Sequence, residues 1–351
     1  MRPSLLPRLV NGPFEDPVLF IRFQFQNKAI MFDLGDIHAL STRDILKLTH
    51  VFVSHTHMDH FVGFDRLLRI FLGREKQLHL YGPRGFIRNI EGKLGGYQWN
   101  LADNFTNRFS IKVTEIRTDR HLTMTFRCRN RFQPDSEIPA VLPSVPDLLQ
   151  EPAFKVSSVI LDHRIPCLGL SIQEKFHVNI KKDALVGMGL NTGPWIQAFK
   201  QAMYEKRALD TPIEIPGPDA TRRYSLGTLR DRIAVITPGQ KIAYVTDILY
   251  SPDNMDKIIA LANGSDRFYI EAAFLEADVH MAARKYHLTA KQAGEIAGKA
   301  GAKKIVPLHF SPRYSDQAHC LETEAQTAFK ETKAMIKSLE SKPLNPCMLG
   351  S

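Results

Sequence analysis

The sequence predicts an α/β (α+β) chain folded as a four-layer αββα sandwich, two packed sheets with helices outside, carrying one inserted arm-like segment. Three observations lead there. Strand-like and helix-like stretches alternate through the first third, the same pattern resumes at Lys241, and the stretch from Glu174 to about Arg232 is polar and punctuated by Gly and Pro. With 351 residues and 44% hydrophobic content, the chain can bury its core as one large domain or two moderate ones. The alternation favours one domain over residues 1–351, with 175–232 inserted into it.

Taken in order, Val18 to Phe25 and Ala29 to Phe32 read as a hairpin around Gln26-Asn27-Lys28, and Ser41-Thr-Arg-Asp44 reads as a capping box opening a short helix. An apolar strand, Val51 to Val53, runs into the cluster His55-Thr-His-Met-Asp-His60. Gly63 to Leu72 has helical spacing, Gln77 to Tyr81 is strand-like and closed by Gly82-Pro83, and Arg84 to Leu94 is helical. Phe109 to Arg131 and Phe154 to Gln173 are strand-like. Between them the five prolines of Gln133 to Pro152 predict a loop rather than an element. From Glu174 to about Arg232 the sequence is polar and punctuated by Gly and Pro, an excursion from the core. The pattern then resumes: a strand at Lys241 to Val245, a helix at Pro252 to Asn263, a strand at Arg267 to Ile270, helices at Glu276 to Tyr286 and Thr289 to Ala300, and a strand at Lys304 to Leu308. A long helix from about Leu321 to Ser341 closes the chain.

Composition narrows the class. No stretch approaches the ~20 apolar residues of a membrane span, and the proline-bearing N-terminus lacks a signal-peptide core, so a cytoplasmic protein with no membrane partner is expected. Cys128, Cys167, Cys320 and Cys347 show no CxxC spacing, which argues against a disulfide framework or thiolate zinc knuckle. A formal charge of +9 favours an anionic partner such as nucleic acid, although many basic proteins bind none.

The chemistry is concentrated at His55 to His60. His55 and His57, two apart in an extended segment, project to one side, while Asp59 and His60 face a second point after the bend. One cluster can thus serve two cations. Imidazole with carboxylate suits zinc or manganese, and a hydrolytic site leaves room for water. A histidine-rich surface patch is the alternative, and the HxHxDH spacing behind an apolar strand weighs heavily against it.

HxHxDH resembles the signature of the metallo-β-lactamase superfamily, and later stretches are similar to its ribonuclease Z branch, the 3′ tRNA processing endonucleases. Leu161-Asp-His-Arg-Ile-Pro-Cys-Leu-Gly-Leu-Ser171, Lys241-Ile-Ala-Tyr-Val-Thr-Asp247 and Ile305-Val-Pro-Leu-His-Phe-Ser-Pro-Arg-Tyr314 carry that resemblance. It implies His55, His57 and His163 on one metal ion, Asp59, His60 and His309 on a second, and Asp247 between them. Asp33 matches an aspartate that supports the cluster from behind. Two divalent ions, zinc with manganese as the alternative, activate water to hydroxide and stabilise charge on the attacked and leaving oxygens. Asp59 orients or deprotonates that water. His287 matches the proton donor to the leaving group and Glu271 the carboxylate that holds it, against the alternative of an exposed histidine beside a helix cap at Thr289.

The insertion falls where the family carries an arm that grips the body of transfer RNA. Gly193, Pro194 and Lys200 resemble the arm's core, and Lys181, Lys182, Arg222 and Arg223 are cations suited to phosphates, although a solvated loop would look much the same. Ser311 and Arg313 belong to the Ser-x-Arg-Tyr motif. Arg127, Arg129 and Arg131 alternate, which places them on one strand face for RNA contact or for guarding an edge. The chain also departs from the family. Leu9 to Asp16 replaces a Pro-x-x-Arg loop that contacts the RNA 3′ end, Gly63-Phe-Asp-Arg-Leu-Leu68 replaces Gly-Leu-Pro-Gly-Leu-Leu, and Ile-Glu-Ala-Ala stands for His-Glu-Ala-Thr. The resemblance implies precursor tRNA as substrate and a homodimer. Its rivals are hydrolysis of another phosphodiester or a small ester, and metal-stabilised RNA binding without turnover.

Overall fold

The computed structural model describes residues 4–340 except 25, 105, 137, 218 and 219. Cys347 and the expected ends of elements at Phe25 and Ser341 lie outside the described residues. Leu5–Leu9 (β1), Leu19–Phe23 (β2) and Ala29–Phe32 (β3) form an antiparallel meander. Ser41 caps the short helix Thr42–Ile45 (α1) by accepting the Asp44 amide, as its sequence predicts. The chain then enters Leu48–Phe52 (β4), which lies parallel to β3. Past Met58–Phe61 (α2), the helix Phe64–Phe71 (α3) buries Phe64, Leu67, Leu68 and Phe71 at helical spacing. Gln77–Pro83 (β5), Phe86–Gly95 (α4), Ser110–Ile116 (β6), Arg120–Arg127 (β7) and Ala140–Pro143 (β8) complete an eight-stranded sheet paired in chain order.

Asp147–Gln150 (β9), Phe154–Asp162 (β10) and Pro166–Glu174 (β11) begin the second sheet, of six strands. The proline-rich stretch is therefore not the loop its composition predicts. It supplies β8 and β9, each the outermost strand of its sheet, where a missing N–H faces no ladder partner. The three arginines do not share a strand face either. β7 ends at Arg127, Cys128–Asn130 forms a 3-10 turn that buries Cys128, and Arg131 turns left-handed at φ 51°.

The insertion is a folded unit rather than a polar excursion. Phe176–Ile180 (β12) begins it, followed by Lys182–Gly187 (α5), Trp195–Tyr204 (α6), Pro212–Ile215 (β13), Arg222–Ser225 (β14), Leu226–Ile233 (α7) and Ala234–Pro238 (β15). β12 and β15 pair as a two-stranded stalk, so the segment runs to Pro238 rather than Arg232. Val178, Leu185, Trp195, Phe199, Ile213 and Leu229 close a separate apolar core inside it. It leaves the sandwich at the end of β11 and re-enters at the start of the next strand, Lys241–Val245 (β16).

Pro252–Ala262 (α8), Arg267–Glu271 (β17), Val279–Lys285 (α9), Ala290–Lys299 (α10), Ile305–Leu308 (β18) and Ala318–Glu340 (α11) finish the fold. The second sheet runs β18-β17-β16-β11-β10-β9, with β16, β17 and β18 parallel. Leu19, Phe32, Phe52, Phe154, Leu170 and Tyr244 pack between the sheets, and separate apolar layers lie under the helices of each face. This is the expected four-layer sandwich. No helix among the described residues is long and apolar enough to cross a membrane. Cys128, Cys167 and Cys320 are free thiols, two of them buried.

Candidate metal centre

Parallel strands end together, and here their ends carry the chemistry. β3 leads into Asp33, β4 into Ser54 and His55, β16 into Asp247, β17 ends at Glu271, and β18 leads into His309, while His163 sits at the tip joining β10 to β11. Asp33, Asp247 and His309 adopt left-handed backbone at φ 58°, 47° and 58°, a conformation that costs non-glycine residues energy and clusters at functional sites. The histidine cluster is locked to the β3 loop: the Leu34 amide donates to His60 O and the Gly63 amide to Leu34 O. A Cβ on Gly63 would run into the Gly35 carbonyl, so this close approach requires glycine.

The histidines and carboxylates gather into overlapping groups that could hold a cation: His55, His57, His163 and Asp247 form one, Asp59, His60, Asp247 and His309 another, each with donor atoms within 4.8 Å of one another, and Asp247, Glu271, His287 and His309 lie equally close together. Asp247 is common to all three. His55 Nε2 and His57 Nδ1 lie 2.9 Å apart, and Asp247 Oδ2 lies 3.5 Å from His55 Nε2 and 3.3 Å from His60 Nε2.

A second layer of hydrogen bonds fixes the rings. Asp33 is fully buried; its Oδ1 accepts the Ser54 amide at 2.6 Å. Its Oδ2 accepts Ser54 Oγ at 2.9 Å, His60 Nδ1 at 2.8 Å and Tyr244 Oη at 2.7 Å. His163 Nδ1 donates to Tyr286 O at 2.9 Å. His60 and His163 therefore both present Nε2 inward.

The donor set fits divalent cations. His60 Nε2 and His309 Nδ1 are buried without a hydrogen-bond partner, although Asp247 oxygens approach them to 3.3 and 3.0 Å. Lone pairs facing one another at such distances without hydrogen-bond alignment are the arrangement expected around a shared cation. The electrostatics agree. Burial opposes charge on His60 and His309, yet Asp247 outweighs it and raises both well above the ordinary histidine range. Burial opposes charge on Asp247 and Asp59 as well, but the surrounding histidines hold both carboxyls low. His55 is pushed down to about 2, by burial first and then by His60, which keeps it a neutral imidazole. The carboxylates demand positive charge at this point, which a divalent cation would supply.

Beside the ligands, Glu271 Oε2 accepts His287 Nδ1 at 2.8 Å. The His287 ring stands 5.2 Å from His163 and 5.5 Å from His309, over both ligand groups. Burial opposes its protonation, but Glu271 outweighs it and raises the imidazole above its ordinary value. Thr289 does cap α10, so His287 is spared that task. A cavity of about 290 Å³ opens here, lined by Asp59, His287, His309 and Ser311 and closed on one side by Phe14, Glu15 and Asp16.

The tentative substrate contacts divide. Ser311 lines that cavity, whereas Arg313 lies 3.5 Å from Asp278 in an ion pair. Lys181 and Lys182 are exposed at the start of α5 in the arm. Gly193, Pro194 and Lys200 instead line a cavity of about 440 Å³ where the arm meets the ends of β2 and β10. Lys200 is half-buried there, and burial lowers its ammonium below the usual range. Sequence reading missed Ser54 and Tyr244, which hold Asp33, and Lys285, which lines the cavity, because each reaches the site only through the folded chain.

Two packed sheets with a His/Asp ligand cluster at one edge define a metal-dependent hydrolase of the metallo-β-lactamase fold. No protein-family model matches the chain. The metallo-beta-lactamase fold protein YhfI from Bacillus subtilis superposes with a TM-score of 0.51 at 16% identity, over 92% of each chain. The ribonuclease Z of Deinococcus radiodurans is 31% identical over 291 residues, 82% of this chain and 83% of that one. That of Porphyromonas gingivalis is 29% identical over 295 residues, 82% and 79% of the two chains. The chain belongs to the ribonuclease Z family, and it is a metal-dependent endoribonuclease.

Proposed function

We propose that this protein removes the 3′ trailer of precursor transfer RNA, using two divalent ions, zinc or manganese, in each site. The observation that carries the reading is the convergence of seven ligands with the His287–Glu271 pair at one edge of the sandwich. His55, His57 and His163 would hold one ion and Asp59, His60 and His309 the other, with Asp247 within reach of both. Bound there, the ions would supply activation of water and neutralisation of charge on the phosphate. Asp59, whose side chain is 41% exposed and opens to the cavity, orients the attacking water by accepting its hydrogen bond at a carboxylate oxygen. Glu271 fixes Nδ1 of His287, so Nε2 is the nitrogen that gives a proton to the departing 3′ oxygen. The products are a 3′-hydroxyl on the transfer RNA and a 5′-phosphate on the trailer.

The arm completes the reading. Its stalk leaves the sandwich at Glu174, while His163 stands beyond the other end of β11, a strand of nine residues that spans roughly 26–30 Å at ~3.3 Å per residue. An arm rooted at the far end serves the site of a second copy more readily than its own, which supports a homodimer with Lys181, Lys182, Arg222 and Arg223 on phosphates of the transfer RNA body. A cytoplasmic location accompanies this reading.

Incubating purified protein with a 3′-extended precursor transfer RNA and added zinc or manganese tests it. Cutting just past the acceptor stem is expected. An intact RNA beside a hydrolysed small phosphodiester would move the substrate to another phosphodiester or ester.

A further inference from the structure

We infer that the groove between α3 and the Tyr97–Trp99 loop seats the unpaired nucleotides downstream of the cut, with a base on Tyr97 and backbone phosphate on Arg66 and Arg69. The inference rests on the RNA reading above. The groove encloses about 800 Å³, and Asp16 lines both it and the catalytic cavity, so the two are neighbours on either side of that residue. An RNA strand leaving the site past Asp16 reaches the groove next.

Its walls have the chemistry of a single-strand site. Tyr97 is 44% exposed, and its ring meets Trp99 edge-on at 5.9 Å. Trp99 is itself held, donating Nε1 to Leu94 O at 2.9 Å and packing on Phe132 at 4.6 Å. Tyr97 is thus an exposed ring on a fixed base, which is what base stacking uses, and stacking requires an unpaired base with a free face. Across the groove, Arg66 and Arg69 stand one turn apart on α3. Neither forms an ion pair among the described residues, and Arg66 Nε is buried without a hydrogen-bond partner.

The three carboxylates in the groove form no ion pair with these cations, although Asp36 feels the charge of Arg66 and Asp65 holds the Tyr97 hydroxyl. Asp36 accepts the His38 amide and Nδ1 at 2.8 and 2.6 Å, Asp65 pairs with Lys93 at 2.9 Å, and Asp16 accepts the Asp36 amide at 3.2 Å. Two guanidinium groups without an ion pair, beside an aromatic platform, match a phosphate and a base.

The test compares precursor RNAs bearing a long single-stranded trailer or a one-nucleotide trailer, cleaved by wild type, Tyr97→Ala, Tyr97→Phe and Arg66→Ala/Arg69→Ala. Wild type is expected to prefer the long trailer in kcat/KM. Tyr97→Ala and the double arginine variant are expected to lose that preference, on the order of ten-fold, while Tyr97→Phe keeps it. Binding of a short 5′-phosphorylated oligoribonucleotide, read by fluorescence anisotropy, is expected to weaken in the same two variants. A trailer-length preference that survives both variants, or oligonucleotide binding indifferent to them, overturns the groove. If wild type leaves precursor transfer RNA intact yet binds the oligonucleotide through Tyr97, the transfer RNA reading falls and the groove stands.

Discussion

Asp33→Asn isolates the layer behind the metal ligands. Asparagine is nearly isosteric with aspartate and tolerates the left-handed backbone at φ 58°, so the change is one of hydrogen bonding and charge. Its carbonyl oxygen can keep the Ser54 amide, which leaves an NH₂ where Oδ2 accepted Ser54 Oγ, His60 Nδ1 and Tyr244 Oη. The two hydroxyls can rotate and accept instead. His60 cannot rotate a proton away; it either buries Nδ1–H unpaired, at ~1–3 kcal/mol, or moves the proton to Nε2 and loses its inward lone pair. Either outcome weakens the ion held by Asp59, His60 and His309, by ~10–100-fold in affinity, or ~1.4–2.7 kcal/mol. Competition against a chromogenic chelator measures this without turnover. Unchanged affinity for both ions would show that Asp33 merely fills space, and the hydrogen-bond reasoning would fail.

Four further outcomes follow from particular residues. His287→Ala is expected to lower turnover by ~10²–10⁴-fold with metal content unchanged, measured by elemental analysis beside kinetics; a loss of metal instead would make His287 a ligand. Replacing residues 176–238 by a short linker is expected to weaken RNA processing far more than hydrolysis of a small phosphodiester, since the segment has its own core; equal loss on both would make it part of the sandwich core. Burial, and then His79, push His50 down to about 3. The unfolded chain thus binds the extra proton between the ordinary value near 6.5 and about 3, and stability falls as pH drops through that window. His50→Phe, which keeps the stacking on Phe52 and Tyr81, is expected to flatten that part of a denaturant-melt pH profile. Tyr244→Phe removes one buried donor to Asp33 and is expected to cost ~1 kcal/mol in the same melt, with two ions still bound.

The ligand set was legible because its parts are local. HxHxDH is contiguous, and His163, Asp247 and His309 each follow or join apolar strands whose alternation can be read directly. The support behind them was not, apart from Asp33. Ser54 and Tyr244 reach Asp33 across 21 and 211 residues of sequence, a distance that no periodicity spans. The fold inside the arm was hidden for a related reason. Val178, Trp195, Ile213 and Leu229 are scattered among polar residues and become a core only when the stalk of β12 and β15 draws them together. The proline stretch was misread because composition does not distinguish a loop from an outermost strand, where Pro143 sits without cost to the ladder.

Metal content and RNA cleavage measured on one preparation of wild type and Asp247→Ala bear most directly on the shared aspartate. Wild type is expected to bind two divalent ions per chain and to release a trailer carrying a 5′-phosphate. Asp247→Ala is expected to bind fewer ions and to leave the RNA uncut. Cleavage by Asp247→Ala at the wild-type rate, or full wild-type activity with a single ion bound, would contradict a site in which Asp247 joins two cations.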